Sequence, residues 1–170
     1  MRVRMVPHDP KWRHEFQREA ARISAATGSN VVRVHHMGST AIPTIYAKPV
    51  IDILLVVQDL AALDEKQPEM EALGYQARGE YGIAGRRFFR RDDKHGDRTH
   101  QVHAFEDGSP QIARHLAFRD YMIAHPETAQ EYSDLKRELA AQHPSDIEAY
   151  MDGKNEFIQE VDKRAAQEEI

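Results

Sequence analysis

A turn of small residues, Gly38-Ser39-Thr40, follows His36 and Met37, and an acid, Asp52, stands thirteen residues beyond Ser39. Gly and Ser put few atoms between the backbone and its surroundings, so N–H groups there can approach phosphate oxygens closely. The acid lies in Ala47-Lys48-Pro49-Val50-Ile51-Asp52-Ile53 and interrupts an apolar run of Val, Ile and Leu. A carboxylate in such a run is costly unless it faces a cleft, a cation or hydrogen-bond donors. The two features together describe a place to hold a phosphorylated ligand beside a metal or a reacting hydroxyl. A second acid at 54 would share Asp52's face of a strand and complete a metal pair, yet 54 is Leu. Two-metal transfer, with ions roughly 3.5–4 Å apart, needs more acids than this strand supplies.

Histidine is abundant, at ten residues. Strand alternation sets His103 on the same face as Gln101, which makes His36, Asp52 and His103 candidates to converge in one cleft, as metal ligands or as catalytic groups. Imidazole with carboxylate would favour Mn²⁺, Zn²⁺, Fe²⁺ or Ni²⁺ over Mg²⁺. A metal-free His–Asp pair that orients a general base is an equal alternative. Candidates to contact phosphate are Gly38, Ser39 and Thr40 through the turn, Lys48 ahead of the acid, and Arg86 or Arg87, one of which must face the cleft if their strand joins the sheet. Lys136 and Lys154 extend that set from the C-terminal half, where surface salt bridges are the plainer reading. For Gly38-Ser39-Thr40 the plainer reading is a helix cap. For Asp52 it is a carboxylate accepting backbone N–H bonds or pairing with an arginine.

These residues need a sheet to carry them. Asp9-Pro10 opens a helix whose Trp12, Phe16, Ala20 and Ile23 recur at helical spacing, with Gly28 as its stop. Val31–Val34 reads as a short strand running into the His36–Thr40 turn. Pro49–Val57, β-branched and apolar on both faces, reads as a central strand. A helix over 59–73 follows, with Pro68 as a candidate interruption. Strands are expected at Tyr75–Arg78, Gly85–Arg91 and Thr99–Phe105, and helices begin at Ser109-Pro110, Pro126 and Pro144-Ser145. The outcome is one α+β domain over residues 1–170, a mixed β-sheet core with an N-terminal helix and a helical C-terminal half.

Composition bounds the function. The chain has 170 residues, 41% hydrophobic and 30% charged, which suits one soluble domain. A formal charge of −5 argues against a general nucleic-acid binder while leaving room for a local basic cleft. With no cysteine, disulfides, thiolate metal sites and a Cys nucleophile are excluded. Val50–Val57 is too short to span a bilayer, and Met1–Pro7 has no long apolar segment of a signal peptide, so a cytoplasmic protein is expected.

The ordered pieces His36–Thr40, Pro43, Ala47–Ile53, Phe118-Arg119-Asp120-Tyr121, Tyr132–Lys136, and Tyr150 with Lys154 and Phe157-Ile158 resemble the GrpB family from about residue 6 to 165. The resemblance implies a nucleotidyltransferase-like fold, and some members occur fused to a dephospho-CoA kinase. Joined to the Gly-Ser turn and Asp52, it leads to the expectation of a nucleotide or phosphorylated small molecule as ligand, with a divalent metal (Mg²⁺ or Mn²⁺, or else Zn²⁺, Fe²⁺ or Ni²⁺ from the histidines) and with nucleotidyl transfer as its catalytic form. The alternatives are a ligand-binding module that lost the metal pair and a His/Asp transition-metal enzyme. Two departures stand out. Pro43-Thr44-Ile45 replaces the family's Pro-Gly-Leu, and His100-Gln101-Val102-His103 has Gln where a His is usual.

Overall fold

The computed structural model describes residues 4–168, so the first three residues of the Met1–Pro7 segment lie outside it. Helix α1 (Lys11–Thr27) starts where Asp9 accepts from Lys11 N–H through its side chain at 2.9 Å and from Trp12 N–H through its carbonyl at 3.1 Å. Those are the donors a helix start leaves open. Gly28, at φ +73°, ends it. Strand β1 (Val31–Met37) is longer than the expected 31–34, so both His35 and His36 are strand residues. The turn begins only at Gly38, with one 3₁₀ turn over Ser39–Ala41.

Strand β2 (Ile51–Val57) follows a segment that Val6 pins by exchanging two 3.0 Å hydrogen bonds with Ala47. The helical stretch expected over 59–73 is two helices, α2 (Leu60–Glu65) and α3 (Gln67–Ala72). The break falls at Lys66, and Pro68 sits in the first turn of α3, where its missing N–H costs no hydrogen bond. A short β3 (Gln76–Ala77) leads to the hairpin of β4 (Arg86–Asp92) and β5 (Arg98–Glu106). Three helices close the chain: α4 (Pro110–Ala124), α5 (Pro126–Gln142) and α6 (Ile147–Glu168).

The sheet order is β1-β2-β5-β4-β3, with β2 and β5 parallel and the other neighbours antiparallel. Strand β2 is therefore interior, and Ile51 and Ile53–Val57 are all buried, which accounts for a run apolar on both faces. On one face Ile51, Ile53, Leu55 and Val57 pack against Trp12, Ile23, Leu63 and Met70 of α1, α2 and α3. On the other, Met37, Leu54, Val56 and Phe105 meet Ile112 and Leu116 of α4. The loop residues Ile42 and Ile45 pack with Tyr121, Met122, Tyr132 and Val161 of α4, α5 and α6, which fastens the helical half to the turn at Gly38. The fold is the expected mixed-sheet α+β arrangement. Among the described residues no helix is long and apolar enough to cross a membrane.

Candidate functional site

Register decides which side chains can meet. Asp52 pairs with Met37 on β1 and Gln101 on β5, and His103 pairs with Leu54 on β2 and Phe88 on β4. Paired and alternate residues share a face, so Asp52, Gln101, His103, Arg86 and Phe88 form one patch. His103 Nε2 lies 3.1 Å from Asp52 Oδ1. Behind it, Arg86 Nη1 lies 3.4 Å from His103 Nδ1, while Nε and Nη2 donate to the carbonyls of Glu80 at 3.1 Å and Tyr81 at 2.7 Å. Arginine only donates, so Nδ1 is the acceptor, and the His103 proton sits on Nε2 and points at Asp52. Burial draws Arg86 below its ordinary pKa.

Gln101 adds a second donor. With its amide nitrogen toward Asp52 Oδ1, at 3.1 Å, its oxygen accepts from Arg98 Nη1, also at 3.1 Å. The other carboxylate oxygen faces the turn. A Cβ on Gly38 would lie 2.6 Å from Asp52 Oδ2, and the residue has φ +74°, so glycine is required there on both grounds. The turn and the acid are thus one packed unit.

Three lysines complete the site. Lys136 is 1% exposed and Lys154 8%, and Lys136 Nζ has no hydrogen-bond partner. Each lies over the ring of a tyrosine four residues earlier, Lys136 over Tyr132 at 4.6 Å and Lys154 over Tyr150 at 4.9 Å. Lys48 approaches the same Tyr150 ring at 5.2 Å. Burial pushes Lys136 down to about 6, and the charges of Lys154 and Lys48 push the same way. Burial and Lys48 bring Lys154 down to about 8, with Asp52 pulling it back up. Lys48 is also lowered by burial and supported by Asp52. The Tyr132 hydroxyl is raised to about 12 by burial, with the neighbouring Ser39 side chain pulling it back down. Loop, α5 and α6 therefore bring amines and phenols to the Gly38–Asp52 unit.

Not every candidate arrives there. His36 pairs with Ile53 and so faces the opposite side of the sheet from Asp52. Its ring stacks on Phe16 at 4.9 Å, and its Nε2 meets Thr40 Oγ1 at 2.8 Å. Burial lowers it to about 4. The strand parity of β1 separates His36 from His103, and the hydroxyl of buried Thr40 is turned toward that histidine. Arg87 points away from the patch and is bound to Asp64 at 2.8 and 3.2 Å, which leaves Arg86 as the arginine on Asp52's face. Lys136 and Lys154 are buried and not in surface salt bridges.

Four contributors escaped the sequence reading: Tyr132 and Tyr150 as part of the site, Arg98, and His115. The last lies 6.3 Å from His103, centroid to centroid, and burial lowers it to about 4. The tyrosines left a signal, because Tyr132 with Lys136 and Tyr150 with Lys154 repeat one i, i+4 pair on successive helices.

A divalent metal fits this donor set poorly. Both nitrogens of His103 are engaged, Gln101 and His103 occupy Oδ1, and Leu54 is fully buried where a second acid would stand. Among the described residues no group of three or more His, Cys, Asp or Glu side chains could hold a metal.

The model of a family described as "GrpB protein" matches residues 2–164. The UPF0157 protein YqkA of Bacillus subtilis is 44% identical over 96% of the chain, which spans only 47% of that protein. The glutamate-rich protein GrpB of Alkalihalophilus pseudofirmus is 33% identical over 94% of the chain and 93% of its own length. The crystal structure of conserved protein GrpB from Enterococcus faecalis superimposes with a TM-score of 0.92 at 38% identity, covering 97% of this chain and 98% of that one.

Proposed function

Starting from the chain's membership of the GrpB family, we propose that it is a cytoplasmic protein that binds a nucleotide or another phosphorylated small molecule in the cleft between the Gly38 turn, Asp52 and the C-terminal helices. The observation behind it is Lys136, a buried amine with no partner that lies over the Tyr132 ring and is flanked by Lys154 and Lys48. A buried group that could be ionised and is left unpaired is costly, and a multiply charged anion removes that cost by supplying acceptors. Lys48, Lys136 and Lys154 hold phosphate oxygens in this reading, and the backbone of Gly38, Ser39 and Thr40 supplies N–H donors. The Tyr132 hydroxyl and the Tyr150 ring complete the walls, the Tyr150 hydroxyl being turned to Met5 Sδ. His103 orients Asp52 and Arg86 backs His103, so neither is an anion ligand of its own.

Nucleotidyl transfer is the catalytic form of the same reading, with Asp52 Oδ2 receiving the attacking hydroxyl. Binding without turnover is the alternative that Leu54 favours. Thermal shift against each nucleoside triphosphate, phosphate esters and inorganic tripolyphosphate tests the binding reading. Saturable stabilisation is expected, and no shift with any of them would overturn it. Pyrophosphate release with a metabolite pool separates the two forms, since transfer requires release by the wild type that Asp52→Ala abolishes.

A further inference from the structure

Around Asp52 the charge balance is the reverse of a metal site. One carboxylate faces Lys48 and Lys154, both of whose amines it supports, with Lys136 beside them and Arg98 and Arg86 on the flanks. Mg²⁺ bound to phosphates is held by one or two carboxylates and keeps several waters, so it needs room and negative charge at the protein side. Here Asp52 has Oδ1 filled by two donors and Oδ2 packed on one side against Gly38, and among the described residues no further His, Asp or Glu side chains complete a set that could hold a metal. A dication would enter a neighbourhood already positive, while an ammonium group is itself a hard, strongly hydrated cation that can face a phosphate.

We propose that this site takes the metal-free polyphosphate chain of its ligand, with the Lys48, Lys136 and Lys154 ammonium groups standing where a divalent ion would otherwise neutralise it. The inference rests on the binding reading above and adds to it the charge state of the ligand. Three amines with one opposing carboxylate match a di- or triphosphate better than a monophosphate. Of the three, Lys136, lowered to about 6, is largely neutral at pH 7 when the site is empty, and an anion beside it restores its charge, so ligand and proton arrive together. Asp52 then opposes the ligand, and its contribution has a sign: a carboxylate that holds a metal strengthens binding, whereas one that merely faces phosphate weakens it.

Isothermal titration of the full chain at pH 7 with ATP and with inorganic tripolyphosphate, in EDTA and in excess Mg²⁺, tests this, alongside Asp52→Asn and Lys154→Met. Asparagine keeps an oxygen for His103 and Gln101, so the patch stays assembled. The expected result is binding in EDTA at least as tight as in Mg²⁺, about tenfold tighter for Asp52→Asn, and weaker by about tenfold or more for Lys154→Met. Binding that appears only with Mg²⁺ and disappears in Asp52→Asn would overturn the metal-free site and leave the binding reading standing. No binding in either condition would overturn both. Because Lys154→Met removes a buried charge, circular dichroism accompanies it, and the Asp52→Asn result decides the question if that variant does not fold.

Discussion

Lys136 shows how a single residue can be bad for the fold and good for a site. Its amine is buried, touches a tyrosine face and has no acceptor. Burial and two neighbouring lysines hold its pKa near 6 in the folded protein, far below the ordinary value near 10.5. Between those two values the unfolded chain carries a proton that the folded chain refuses. The stability of the wild type therefore rises with pH through this window, and the penalty is largest at and below about 6. Methionine has a similar length and needs no partner. Lys136→Met is expected to stabilise the ligand-free protein at pH 6, by about 1–3 kcal/mol, and to lose most of that advantage by pH 9. Urea midpoints at the two pH values check this. A variant less stable than wild type at pH 6 would mean that the amine has a partner in solution. The same variant would lose ligand-induced stabilisation, which separates a site residue from a packing residue.

At the scale of elements, the turn and the loop beyond it carry the strain. Gly38 meets a demand for both φ and space, since its neighbour is Asp52 Oδ2. Thr44 meets no such demand easily. It has φ +73°, a left-handed conformation that a β-branched side chain rarely adopts, at the position where the resemblance expected Gly. Thr44→Gly is therefore expected to raise stability by about 1 kcal/mol, the relief of roughly 1–2 kcal/mol of strain less glycine's greater backbone entropy. Urea unfolding with an unchanged m-value and a higher midpoint would show it, and an unchanged or lower midpoint would refute it. The sequence made the central strand legible through its β-branched run, and the helix starts through their prolines. It left the end of β1 illegible. His35 and His36 look like turn residues beside Gly38, yet the pairing of His36 with Ile53 and Met37 with Asp52 extends the strand and sends His36 to the far face. Parity depends on where a strand stops, and that is set by its partner across the sheet, which lies outside the local pattern. The lysines were legible as one set of phosphate candidates, but their burial over Tyr132 and Tyr150 was not, because the packing of α5 on α6 is a contact over a long separation. The repeated Tyr–Lys spacing was the local trace of it.

For the molecule as a whole, buried imidazoles set the acid limit. His36 stacks on Phe16 below the sheet, His100 is 5% exposed and accepts from Arg91 at 3.0 Å, and His115 reaches from α4 toward His103 on the sheet. Burial brings all three to about 4, and nearby arginines push the same way. Ordinary histidine titrates near 6.5. Between about 6.5 and about 4 the unfolded chain thus takes up protons that the folded chain declines, and stability is present in full above that window and lost within it as pH falls. Each such histidine contributes at most about 1.4 kcal/mol per pH unit, so the three together bound the slope at about 4. Glu19 adds to the loss lower down. It is 1% exposed and, against the upward pull of burial, held below its ordinary value by the Tyr75 hydroxyl at 2.8 Å and Arg91 at 2.7 Å. The His100–Arg91–Glu19–Tyr75 chain ties α1 to β4 and β5, so its protonation loosens the sheet from the helix that covers it. Urea unfolding at intervals from pH 7.5 to 4.5 is expected to show stability falling steeply below about 6.5. In His100→Gln, whose amide can still accept from Arg91, the slope between 6 and 5 is expected to drop by about one proton's worth, roughly 1.4 kcal/mol per pH unit. If the slope stayed the same, the native state would be taking up that proton in the ordinary range, and the Arg91 contact would not be holding His100 neutral.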